Sequence, residues 1–171
     1  MRTAETAMEL PERYNVGGKF LTFFLAGEEY GIEILKVQEI IGMMDITTVP
    51  RTPTFIRGVI NLRGKVIPIV DLRLKFGMEA VEKTDETCII VVRARGVEMG
   101  VVVDRVSEVL DIASDNIDEV PSFGAEVDTS YLLGIAKADS RVKLLLAIDR
   151  VLSSHEVIDL PTTPAYTLAS A

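Results

Sequence analysis

Short apolar runs, broken by Gly, Pro and charged residues, recur along this chain. The clearest case lies between Phe55 and Phe76, where the runs Gly58–Leu62 and Val66–Val70 are separated only by Arg63, Gly64 and Lys65. Two apolar runs about a short Gly-containing turn predict an antiparallel hairpin. Pro68 removes one ladder donor, so its strand is predicted to lie at an edge or to bulge there. Asp71 is placed to cap a short helix through Phe76, which Gly77 stops.

Upstream, KFLTFFLAG sets Leu21, Phe23 and Leu25 on one face of an extended segment and Phe20 and Phe24 on the other. A turn at Gly27-Glu28-Glu29 leads into a strand at Tyr30–Ile32, which makes another hairpin. EILKVQEIIG predicts one helical turn followed by a strand that Gly42 ends. Pro50 and Pro53 make Asp45–Thr54 a loop. After a polar connector, Met78–Thr87, the segments CIIVVRA, VEMGVVVDRV and SEVLDIA are rich in β-branched residues and predict three strands. An acidic loop follows over Ser114–Ser130, then a hairpin from YLLGIAKAD and RVKLLLAID around Asp139-Ser140. Residues 1–17 read as a flexible arm and 154–171 as a loose C-terminal tail.

The chain also matches itself. Shifted by 69 positions, YGIEILKVQEI falls on MGVVVDRVSEV, which aligns Gly31 with Gly100, Lys36 with Arg105, Val37 with Val106 and Glu39 with Glu108. Shifted by 76, Gly58 falls on Gly134 and Val66–Val70 on Val142–Leu146. Two copies of one small five-strand unit explain both matches, and units with so few strands close as small barrels. The expected fold is all-β with short helices: two five-stranded barrel subdomains side by side, one over about 18–85 and the other over about 86–153.

Charge sharpens this picture. The net charge is -8, yet Arg51, Arg57, Arg63, Lys65, Arg73 and Lys75 crowd one stretch against a single acid, Asp71. Residues 86–171 carry most of the negative excess, so the halves are expected to meet different partners. An acidic chain repels phosphate backbones, and an aromatic content of 6% leaves little for base stacking, which disfavours an RNA-binding barrel. The one His, His155, and the one Cys, Cys88, offer no metal set or activated nucleophile, and phosphate-binding glycine motifs are missing. No cofactor and no catalytic residue are expected. No apolar run is long enough to span a bilayer, so a cytoplasmic protein is the expectation. Arg63 at a hairpin tip fits either a solubilising turn residue or a guanidinium presented to a carboxylate.

EEYGIEILKVQEI, then TPTFIRGVINLRGKVIPIVDLRLKF and GVVVDRVSEVL, closely resemble the bacterial chemotaxis coupling family, the CheW family. The likeness covers about Lys19 to Leu152 and is most specific at NLRG and PIVDLR. It implies two five-stranded SH3-like barrels in a CheW-like domain at 18–153. It further implies a non-catalytic adaptor joining methyl-accepting chemotaxis receptors to the regulatory domain of the chemotaxis histidine kinase, meeting the membrane only through receptors. By the resemblance, receptor binding falls to Val37, Glu39, Gly58, Asn61 and Arg63, and kinase binding to Gly100, Val106 and Val109. A groove between the sheets would then hold an amphipathic receptor helix, with Arg63 and Glu39 setting its register.

Overall fold

The computed structural model describes residues 17–121, 129–138 and 140–152. The expected arm and tail, His155 and the centre of the acidic loop lie outside these residues. The chain runs through β1 (Gly18–Leu25), β2 (Glu28–Glu33), a 3-10 turn (Ile34–Lys36), β3 (Val37–Gly42), β4 (Ile56–Leu62), β5 (Lys65–Asp71) and α1 (Leu72–Lys75). It continues through β6 (Cys88–Ala94), β7 (Val97–Val103), β8 (Arg105–Ile112), β9 (Ile117–Asp118), β10 (Leu132–Ala138), β11 (Arg141–Leu146) and α2 (Ile148–Val151). The helical turn and strand expected in EILKVQEIIG are both present, and a 3-10 turn at Ser114–Asn116 with β9 occupies what sequence assigns to loop.

Three hairpins turn on two residues in the left-handed region. Arg63 and Gly64 have φ of 54° and 90°, Ala26 and Gly27 of 51° and 84°, Arg95 and Gly96 of 52° and 77°. Positive φ at both central residues matches the twist of the flanking strands. Asn61 reinforces the first of these turns, its Oδ1 accepting the Gly64 N–H at 2.8 Å. Asp71 caps α1 by accepting from the Leu74 N–H.

Among the described residues the strands form two sheets. One has six strands in the order β8-β1-β2-β11-β10-β9, the other five in the order β3-β6-β7-β5-β4. The hydrogen bonding therefore runs across the boundary expected near residue 85: the first hairpin of each repeat has joined the last strands of the other. Under the two sequence shifts β8, β1, β2, β11 and β10 correspond in turn to β3, β6, β7, β5 and β4, so both sheets share one strand order, with β9 added to the larger. Parallel contacts between β2 and β11 and between β5 and β7 close each exchange.

Burial follows the same symmetry. Ile60, Ile67, Ile69 and Ile89 fill the five-stranded unit, and Phe20, Ile112, Ala136 and Leu145 fill the six-stranded one. A third, larger cluster joins them, with Phe23, Leu25 and Ile32 from one sheet against Val70, Ile90 and Val101 from the other. Burying a large aliphatic or aromatic side chain is worth about 1.5–3 kcal/mol, so this shared cluster binds the two units firmly together. Pro68 corrects the expectation of an edge strand, since β5 lies inside its sheet between β7 and β4. Val59, its partner on β4, spends both backbone groups on Thr47 at 2.9 Å. Pro68 thus sits in a non-hydrogen-bonded pair, and its missing donor falls where the parallel ladder to β7 only begins, at Ile69.

Candidate functional site

Arg63 donates to Glu39, an ion pair that reaches from the β4–β5 turn to β3, the strand at the opposite edge of the five-stranded sheet. The pair is surface-lying, with side-chain exposures of 68% and 32%. It draws two of the expected receptor-binding residues into one place. Asn61, exposed on β4, faces Val66 across the hairpin, and Val66 is 55% exposed. Ile40, next to Glu39, is 45% exposed. Glu39 and Arg63 thus meet at one place on the surface, and Asn61 and Val66 lie side by side on the hairpin that carries Arg63; Ile40, following Glu39 on β3, is turned to the other side of that strand. Val37 is only partly exposed and packs on the shared core.

The basic surplus of this stretch is largely spent within the chain. Arg57 pairs with Asp71 at 3.0 Å, Lys65 with Glu98 at 3.3 Å and Arg73 with Asp104 at 2.7 Å, while Lys75 lies 4.2 Å over the Phe55 ring. The charge excess read from sequence is therefore not a free basic patch.

Two expected contact residues are buried. Gly58 has φ of 139°, and a side chain there would run into the Thr47 carbonyl. Gly100 is enclosed in β7, where a Cβ would lie 2.7 Å from both Ile69 Cδ1 and Ile89 Cγ2. These glycines let neighbouring segments close up, and their place in the site is underneath it.

On the other sheet Val109 is 51% exposed on β8, whereas Val106 is half-buried against the shared core. Val142 on β11 is 52% exposed. Val109 is the 69-shift counterpart of Ile40 and Val142 the 76-shift counterpart of Val66. The repeat has therefore placed matching exposed apolar residues on both units, which the burial pattern of a half-solvated strand would not require. Sequence reasoning missed Ile40, Val66 and Val142; the same self-alignment that found the repeat could have flagged them.

Where the units meet, the Arg73–Asp104 pair separates two cavities of about 390 and 370 Å³. Both are lined by Arg73, Val81, Glu82, Thr87 and Asp104, with Met43 and Arg57 on one side and Phe24 and Arg105 on the other. None of the eight expected contact residues lines either cavity, so the groove and the Arg63–Glu39 surface are separate places. Hydrogen bonding from Arg73 holds the Asp104 carboxyl below its usual range, against the opposing effect of burial. Burial pushes the Cys88 thiol up. Among the described residues there is no cluster of His, Cys, Asp and Glu able to hold a metal ion, and no helix long and apolar enough to cross a membrane.

Two β units, each carrying an exposed patch of repeat-related residues, make a binding module with two faces. The CheW-like domain family model matches residues 19–156. The chain is 44% identical over 142 residues to the chemotaxis protein CheW of Klebsiella aerogenes, covering 83% of this chain and 86% of that protein. It is 35% identical over 140 residues to chemotaxis protein CheW of Bacillus subtilis, with 81% and 89% covered. The crystal structure of the scaffolding protein CheW from Thermoanaerobacter tengcongensis superimposes with a TM-score of 0.74 at 36% identity, covering 82% of this chain and 96% of that one. The chain belongs to the CheW-like family. It is a non-catalytic chemotaxis coupling adaptor.

Proposed function

We propose that this protein couples the cytoplasmic tips of chemotaxis receptors to the chemotaxis histidine kinase, in arrays at the inner face of the membrane. The observation that carries the reading is the pair of repeat-related surfaces, one on each unit, because an adaptor needs two separate faces. The receptor would meet the surface of Glu39, Asn61 and Arg63 together with Val66; Val37 and Gly58 support it from behind. The kinase would meet Val109, Val142 and the β8 edge, with Val106 beneath; Gly100, on β7 of the other sheet, lies apart from this face. Apolar burial supplies affinity at each face, and the Arg63 and Glu39 charges, already paired with each other, supply register by exchanging partners at the rim. Weak single contacts suffice where many copies assemble, since linkage within an array raises avidity.

The test is co-sedimentation of the full chain with receptor cytoplasmic fragments and kinase, scored by kinase autophosphorylation. Arg63→Glu should abolish receptor recruitment while kinase binding persists. Unchanged recruitment by receptors would show that the Arg63–Glu39 surface faces something else. RNA binding, the other reading of a small barrel, predicts salt-sensitive retention on single-stranded RNA, and a gel shift tests for it.

A further inference from the structure

The chain passes from one sheet to the other at two points, between β2 and β3 and between β7 and β8. Each crossing carries the same three-part junction. At the second, Asp104 accepts Nε and Nη2 of Arg73 at 2.8 and 2.7 Å, from α1 beside the five-stranded sheet. The same carboxylate accepts the Ala26 N–H at 2.8 Å, from the tip of the β1–β2 hairpin in the six-stranded sheet. At the first crossing, Lys36 donates to Asp149 on α2 at 2.9 Å, and Asp149 accepts the Arg95 N–H at 3.2 Å from the tip of β6–β7.

In two of their three parts the junctions are repeat partners with the charges exchanged; the crossing residues Lys36 and Asp104 are offset by one, since Lys36 aligns with Arg105. Arg73 and Asp149 are related by the 76-residue shift, and Ala26 and Arg95 by the 69-residue shift. In one junction the acid stands on the crossing and the base on the helix; in the other the acid is on the helix and the base on the crossing. In both, the carboxylate takes the N–H of a hairpin tip held at positive φ. Apolar packing in the shared core is non-directional and sets how near the units lie, whereas charge-assisted hydrogen bonds fix orientation.

We propose that these two junctions are matched latches that set the angle between the sheets, each tying a crossing, a helix and the hairpin that one repeat has lent to the other. With one latch intact the angle is held. With both opened the units turn against each other about the shared core. The Arg73–Asp104 latch, with exposures of 17% and 27% against 34% and 38% for Lys36–Asp149, is the firmer of the two.

The full chain carrying Cys88→Ser, Val66→Cys and Val142→Cys gives one nitroxide label on each sheet, whose separation is read by pulsed dipolar spectroscopy. In Arg73→Ala/Lys36→Ala the distance distribution should broaden at least about twofold while unfolding stays cooperative; each single variant should leave the width near that of the parent. In Arg73→Ala the Ala26 amide should also exchange roughly tenfold faster, as loss of a charge-assisted bond implies. An unchanged width in the double variant would overturn the proposal, leaving the junctions as caps of hairpin tips. Should that variant fail to fold, the comparison is made on Lys36→Ala, where Arg73→Lys keeps the charge but gives up the two-pronged hydrogen bonding to Asp104. Lys36→Ala/Arg73→Lys should broaden the distribution relative to Lys36→Ala alone; equal widths would overturn the proposal.

Discussion

Gly31 and Gly100 occupy the same place in two different sheets. Gly31 faces Leu145 across the parallel contact of β2 and β11, and Gly100 faces Ile69 across that of β7 and β5. A Cβ would come within 2.9 Å of Leu145 Cδ2 in the first case and 2.7 Å of Ile69 Cδ1 in the second. Gly100 is also crowded by Ile89, so Gly100→Ala should cost about 1–3 kcal/mol, the usual range for an overpacked core. Gly31→Ala, with a single close neighbour, should cost less. Urea titration of the two variants orders them, and any loss of assembly by Gly100→Ala should scale with lost stability.

Gly58→Ala should be the more damaging glycine replacement. Its obstacle is the Thr47 backbone carbonyl, which a rotamer change cannot move, and its φ of 139° is strained for any side chain. A loss of about 3 kcal/mol or more is expected, from clash and strain together. Denaturation midpoints measured beside Gly100→Ala check the order.

Val109 and Val106 separate binding from folding. Val109→Asp changes a side chain that is half in solvent, so stability should move by under about 0.5 kcal/mol. Val106→Asp puts a carboxylate against the shared core and should lower the melting temperature clearly. Kinase pull-down with both variants, read beside their melting curves, is the measurement. Val109→Asp that binds kinase normally would remove β8 from the proposed face.

Acid should open the latches. Asp104 is held below the ordinary carboxylate value of 3.8 by the Arg73 hydrogen bonds, against burial. Burial pushes Asp149 upward, but Lys36 and the Arg95 N–H outweigh it and leave it low as well. Between the folded and unfolded values the unfolded chain binds more protons, so the stabilisation is complete above the unfolded value and is lost as pH falls through the folded one. The stability gap between parent and Arg73→Ala should therefore be constant from pH 7 to about 5 and shrink below about 4, where the unfolded carboxyl protonates. Urea titrations at pH 7, 5 and 3 follow it.

Hairpins were legible because their information is local. Arg63-Gly64 lies between alternating apolar runs, and Asp71 before a short apolar segment carries its own cap. The two-fold repeat was legible for the same reason. What local pattern could not carry was which copy each hairpin joins: Leu145 and Ile69 are equivalent by the repeat, so strand chemistry alone does not tell β2 from β7 as a neighbour. The assignment depends on contacts between residues far apart in the chain, such as Phe23 and Leu25 in one cluster with Val70 and Val101, and Lys36 paired with Asp149. Charge counted along the chain misled for a related reason. Arg57, Arg73 and Lys65 look like a basic run in sequence, but their acids come from α1's cap, the second crossing and β7.

The lending of β1–β2 to the far sheet also sets an order on synthesis. Phe20, Phe23 and Ile32 find their strand partners on β8 and β11, which are made only after residue 105. At translation speeds of about 5–20 residues per second, the finished hairpin waits for roughly 5–20 seconds with both of its outer strand edges unpaired. During that interval the nascent chain presents a sticky, half-made sheet edge, and shielding of the emerging N-terminal third by a chaperone would govern the yield of the native protein.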